Sequence, residues 1–165
     1  MNDIRSPWNR WHGRVRNVSD GESFPAHHEQ CFGCGPENPH GHQLKVRRNG
    51  DGIVAAHVFD RRHVGAPGIA HGGAVAAVFD DFFGFLPYLV GQPAVTRSLT
   101  VQYLAPVRLG EQYELSARVL SITGRRIEVD ASMEDHVGNA AATADAVFVM
   151  VDLGHFERHR GRVET

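Results

Sequence analysis

Two aspartates stand side by side in an otherwise apolar run, GGAVAAVFDDFFGFL, which spans residues 72–86 and makes them Asp80 and Asp81. A carboxylate among such side chains is partly withdrawn from water, and that raises its pKa and strengthens it as a base once ionised. Desolvating a charge costs several kcal/mol, so the position needs a reason. An ion pair with an arginine, or hydrogen bonds to backbone amides at a subunit contact, would supply one without any chemistry. The residues just upstream add a second component. His71-Gly72-Gly73 opens the run with amides at a helix N-terminus, where free N–H groups and the positive dipole end stabilise a carbonyl oxygen or a developing oxyanion. Glycine lets a ligand approach that main chain without meeting a Cβ, although a tight loop-to-helix turn would use the same residues. Polarising amides followed two helical turns later by a carboxylate are the parts that acyl hydrolysis requires.

The elements that must hold these parts can be read from periodicity. At about 100° per residue, Gly73, Ala76, Ala77 and Gly84 share a face with Asp80, and Val75, Val78, Phe79, Phe82, Phe85 and Leu86 fall opposite. Asp81 lies about 100° further round and could as easily be the solvated one, so spacing does not choose between the two carboxylates. The run reads as a core helix with Pro87 as its stop, too short for a bilayer span and carrying two charges at its middle. Around it, residues 43–48, 52–59, 94–104, 112–121, 126–134 and 140–152 read as strands. Asn49-Gly50-Asp51-Gly52 marks a hairpin, Val64 to Gly68 a loop, and Cys31 to Gly41 a run of turns. The expected class is α+β, a curled antiparallel sheet of about six strands wrapped around one long central helix.

Composition bounds the rest. The chain has 165 residues, one domain's worth, with 17 Lys+Arg against 19 Asp+Glu. That balance gives no field to draw it to nucleic acid or an anionic membrane, so neither is expected as a partner. The polar start at Met1 and the presence of only two cysteines, Cys31 and Cys34, favour the cytoplasm. The expected organisation is an irregular arm over 1–30, the folded domain over 31–153 and a charged, frayed tail over 154–165.

GIAHGGAVAAVFDD, followed by TRSLTVQYLAPVRLG, resembles the hotdog-fold thioesterases of the phenylacetate-degradation type, and CFGCGPENPHG resembles an N-terminal signature of one branch. The matching features are His-Gly-Gly, an Asp nine residues after the His, a Thr sixteen after that Asp, and Tyr-Leu-x-Pro. The resemblance implies hydrolysis of an acyl-coenzyme A thioester in a site shared across a homodimer, which in such families often pairs again into a tetramer. It makes Asp80 the catalytic base or nucleophile, Gly72 the oxyanion donor and Thr96 the residue that positions carboxylate or water, normally from the partner. His71 and Gly73 support the helix start, and Tyr103, Gly124, Arg125 and Arg126 match the coenzyme-binding region, where the arginines could meet phosphates. A solvated hairpin tip would carry the same arginines. Two positions depart from the pattern: Gly65 where some branches have Asn, and His42 where the signature has Leu.

Three rival readings stand beside this one. A hotdog hydratase would want a catalytic histidine, and a non-catalytic acyl-CoA-binding module could use the same tunnel. Cys31 and Cys34 with His27, His28, His40 or His42 could ligate zinc, but a structural site usually has a second well-spaced ligand pair. The expectation is therefore two small thiols at a turn, no metal, and no cofactor beyond the coenzyme A carried by the substrate.

Overall fold

The computed structural model describes residues 18–159, so the arm's Trp8 and Trp11 and the end of the tail lie outside the described residues. Strands β1 (Val46–Asn49) and β2 (Gly52–Val58) form the expected hairpin, with Asn49 opposite Gly52 and Gly50 in the left-handed region at φ 59°. Strand β1 starts later than the pattern suggests, because Gln43 takes a positive φ of 51° that no strand accommodates. After a 3-10 turn at Arg61–His63, the expected loop is instead a small ribbon, β3 (Val64–Ala66) and β4 (Ile69–Ala70), reversed at Gly68. Helix α1 (Gly72–Phe83) follows, then α2 (Leu86–Val90). Pro87 is not the stop: α1 ends at Gly84, and Pro87 sits in the first turn of α2, where its missing N–H costs no hydrogen bond.

Strands β5 (Ala94–Tyr103), β6 (Gln112–Thr123), β7 (Arg126–Glu134) and β8 (Ala140–Met150) complete an antiparallel sheet in the order β1-β2-β6-β7-β8-β5. The tail departs from its expectation, since Leu153–Arg158 forms a short helix, α3, tied back by an Arg158–Asp152 ion pair at 3.2 Å. The described part of the arm, 18–30, is irregular but packed. It hydrogen-bonds the free edge of β1 through Gly21, Glu22 and Phe24, and Val18 and Phe24 are buried. At the other end of the sheet, β5 has no strand beyond it among the described residues.

Helix α1 lies beside β5 and β7, and α2 beside β2 and β6. Val75, Val78, Phe79, Phe82 and Phe83 are buried on α1 and Phe85 just after it. They face strands that alternate as a half-buried sheet should, with Tyr113, Leu115, Ile127, Val129, Met133 and Phe148 inward. Ala117, Ala131 and Ala144 stand in register across three strands, and this row of small side chains leaves room for large rings above it. Each buried phenylalanine contributes roughly 2–3 kcal/mol. By length and composition Gly72–Val90 could cross a bilayer, contrary to the expectation from the shorter run, yet half of it is buried inside this fold.

Three histidines are part of the interior. His42, His57 and His63 are buried, with His42 Nδ1 3.2 Å from His57 Nε2 and its ring stacked on His63 at 4.2 Å. Burial, and then the neighbouring imidazoles, lowers His42 to about 3 and His57 to about 4, and burial lowers His63 as well. Asp60 opposes these shifts, and Arg62 reinforces them. The rings are therefore neutral in the folded chain near neutrality, while in the unfolded chain each titrates near its ordinary 6.5. Their stabilisation is complete above that value and is lost as pH falls through it toward the folded values. Between about pH 7.5 and about pH 5, His42 and His57 should each cost about 2 kcal/mol of stability. Urea unfolding at the two pH values should show His42→Leu losing roughly that much less than the unmodified chain. Equal losses would contradict neutral burial of His42.

Candidate active site

The two carboxylates of α1 diverge as their 100° separation requires. Asp80 comes out beside β5, where Thr96 Oγ1 donates a 2.9 Å hydrogen bond to Asp80 Oδ1. Both residues are exposed. The expected desolvation of Asp80 is therefore not provided by this chain: its helix face looks past the open edge of the sheet, and nothing among the described residues covers it. Thr96 also reaches the aspartate of its own chain, although the resemblance places it on a partner. The pairing register slips by one residue between Thr96 and Ser98, and such a bulge re-aims a side chain next to a sheet edge.

At the start of α1, His71 is extended and its Nδ1 accepts the Gly73 N–H at 2.9 Å, so its ring fixes the helix start. The Gly72 N–H has no acceptor among the described residues, whereas the Gly72 carbonyl takes the Tyr103 hydroxyl at 2.7 Å. A Cβ on Gly72 would lie 3.3 Å from the Tyr103 ring, and one on Gly65 only 2.6 Å from His71 Cα. Gly65, standing where some relatives place Asn, thus serves the close packing of the loop against the helix start.

The coenzyme-region residues separate. Tyr103 stands at the end of β5 opposite Ala142, but Arg126 pairs with Val149 at the far end of the same sheet, close to Val95 and Thr96. Gly124 turns the β6–β7 hairpin at φ 58°. Arg126 is held by Glu128 at 2.8 Å, and Arg125 forms no ion pair among the described residues. The chain thus brings together Asp80 with Thr96, and Gly72 with Tyr103, but not these two pairs with one another.

Asp81 is the buried carboxylate, and periodicity did not single it out. Its side chain is 9% exposed and Oδ1 lies 3.0 Å from His27 Nδ1 and 3.2 Å from Cys31 Sγ. Cys34 Sγ stands 3.3 Å from the same His27 nitrogen and accepts the His27 N–H at 3.2 Å. A Cβ on Gly33 would fall 2.1 Å from Asp81 Cγ, so the turn closes on the carboxylate only because residue 33 is glycine. Burial raises Asp81. Burial alone would lower His27, but its contacts with Asp81 and Cys31 carry it up to about 9. Hydrogen bonding from Cys34 lowers Cys31, and Cys34 is itself raised. Among the histidines considered beside the cysteines, only His27 is in this cluster; His42 belongs to the buried trio.

Residues 67–142 match the thioesterase superfamily. Acyl-coenzyme A thioesterase THEM4 of Xenopus laevis is 33% identical over 87 residues, 52% of this chain and 39% of that protein. The chain thus spans about two fifths of that relative's length. The solved structure of RHA08564, a thioesterase superfamily protein, superposes with a TM-score of 0.69 at 23% identity, covering 73% of this chain and 60% of that one. The PaaI protein of the E. coli phenylacetic acid degradation operon gives 0.63 at 15% identity, over 67% and 81%. Streptococcus mutans smu.793, solved bound to acetyl CoA, gives 0.59 at 20% identity, over 61% and 82%. At these identities the solved structures establish the fold: the chain has the hotdog fold, and over residues 67–142 its sequence is similar to the thioesterase superfamily.

Proposed function

We propose that the domain hydrolyses an acyl-coenzyme A thioester, with Asp80 as the attacking carboxylate or general base. The observation that carries this is the exposed Asp80–Thr96 pair on a helix whose first amide, at Gly72, is free. The Gly72 N–H polarises the thioester carbonyl. Asp80 takes a proton from an attacking water, or attacks the carbonyl carbon itself and is released by water. The C–S bond breaks, the free acid forms, and coenzyme A leaves as its thiol. Thr96, donating to Oδ1, holds the carboxylate so that its other oxygen faces the substrate.

Helix geometry then requires a second copy of the chain. Eight residues separate Gly72 from Asp80, and at 1.5 Å rise per residue that is about 12 Å along the axis. One carbonyl cannot touch both groups of one helix. We therefore infer a homodimer, at the least, in which Gly72 and Tyr103 of one protomer face Asp80 and Thr96 of the other. The open edge of β5 supports that assembly, since an unpaired edge is a template for a second strand. A partner there would also supply the desolvation that Asp80 lacks alone. The ligand follows from the relatives: one is named an acyl-coenzyme A thioesterase and another was solved with acetyl CoA. Arg125, with no ion pair among the described residues at the exposed β6–β7 turn, is the better placed arginine for a phosphate of the coenzyme.

The hydratase reading is weaker because His71, the histidine nearest this helix start in sequence, uses Nδ1 to cap the helix. Asp80→Asn should lower thiol release from a panel of acyl-CoAs at least about a hundredfold. Asparagine keeps the size of the side chain and an oxygen to accept from Thr96, so the variant's melting temperature should stay near that of the unmodified chain. Unchanged hydrolysis in the variant would overturn the proposal, and binding of acyl-CoA without any hydrolysis by the unmodified chain would replace it with a binding module.

A further inference from the structure

The thioesterase reading makes no use of a part-buried titratable cluster where the N-terminal segment meets α1. His27, Cys31, Cys34 and Asp81 each turn one donor atom inward, and all four donors lie within 4.8 Å of one another. Hydrogen bonding leaves one carboxylate oxygen of this group unsatisfied among the described residues. One imidazole nitrogen is shared between Asp81 Oδ1 and Cys34 Sγ, one carboxylate oxygen serves both His27 and Cys31, and Asp81 Oδ2 is buried with no hydrogen-bond partner among the described residues. A buried carboxylate oxygen left without a partner is costly.

We propose that His27, Cys31, Cys34 and Asp81 bind a zinc ion that clips the N-terminal segment to the central helix. A tetrahedral zinc with bonds of about 2.0 Å to N or O and about 2.3 Å to S would set its donors roughly 3.3–3.8 Å apart. The contacts of 3.0–3.3 Å need to open by only a few tenths of an ångström. Two thiolates, an imidazole and a carboxylate form a donor set that selects zinc over magnesium or calcium. Four protein ligands leave no open position, so the ion is structural rather than catalytic.

Local structure is built for that purpose. Cys31-Phe32-Gly33-Cys34-Gly35 is a tight turn with Gly35 N–H bonded to Cys31 O at 3.0 Å, and a Cβ on Gly35 would fall 2.4 Å from Cys31 N. The His27 N–H directed at Cys34 Sγ is the kind of outer contact that stabilises a thiolate ligand. With both thiols and the carboxylate ionised, the ligands carry three negative charges, and the ion reduces the buried net charge to one. The other compact histidine group does not compete, because His42 and His63 stack with planes 15° apart and direct their in-plane lone pairs in parallel.

The test is metal content of the whole chain, purified without chelator and read by inductively coupled plasma mass spectrometry, followed by replacement with cobalt. The expected result is about one zinc per chain, and on cobalt substitution a thiolate charge-transfer band with tetrahedral d–d bands. Asp81→Asn and Cys34→Ser should each lower the bound zinc at least about tenfold, and His42→Leu should retain it. Chelation should lower the melting temperature of the unmodified chain by at least about 5 °C, without reference to activity. If a variant fails to fold, the cobalt spectrum of the unmodified chain still decides. No zinc and no cobalt–thiolate band, a Cys31–Cys34 disulfide as isolated, or zinc lost in His42→Leu but kept in Cys34→Ser would each overturn the site.

Discussion

The structure depends on how α1 is buried. Five side chains of this 12-residue helix, three of them phenylalanines, are buried, and that fixes the helix's rotation about its own axis. Once the rotation is set, the two adjacent aspartates have no freedom. Asp80 must emerge at β5, where Thr96 meets it, and Asp81 must point at the turn that carries Cys31 and Cys34. The row of alanines at Ala117, Ala131 and Ala144 is the sheet's counterpart of the helix's aromatic face.

The same helix sets the scale of the chemistry. Its rise places the Gly72 amide and the Asp80 carboxylate about 12 Å apart along the axis, too far for one carbonyl group to touch both, so the proposed hydrolysis draws them from two chains. Tyr103 and the β6–β7 turn likewise stand at opposite ends of the sheet. On the proposed reading each protomer holds two half sites, and a partner at the β5 edge would cover the Asp80 that is exposed in the single chain. The two ends of the sheet are treated differently. The arm hydrogen-bonds along β1, whereas β5 is left with no neighbour among the described residues.

Much of this was legible in the sequence. Alternation marks the long strands, and Asn49-Gly50-Asp51-Gly52 marks the hairpin, because these signals come from local sterics and from one buried face per strand. Less legible were features set by contacts distant in the chain. Pro87 looks like a stop but opens a second helix, and Val64 to Gly68 looks like a loop but pairs with Ile69–Ala70. Which aspartate is buried could not be settled from spacing, since the answer lies in Gly33, whose missing side chain admits Asp81. The fourth member of the cysteine cluster was missed for the same reason: it stands fifty residues beyond Cys31, on another element. These histidines divide by environment, with His27 beside the cysteines, His42, His57 and His63 in the interior, and His71 capping α1.

The central claim is that one active site is built from two chains, and subunit complementation tests it most directly. Gly72→Pro removes the amide at the first helical position, which tolerates proline, and His71 already has the extended ψ of 134° that precedes one. Gly72→Pro and Asp80→Asn should each be nearly inactive alone. Coexpressed in equal amounts and randomly paired, they should recover about a quarter of the thioesterase activity of the unmodified chain, because a mixed dimer contains one intact site. Mixed dimers with no more activity than the separate variants would contradict the account.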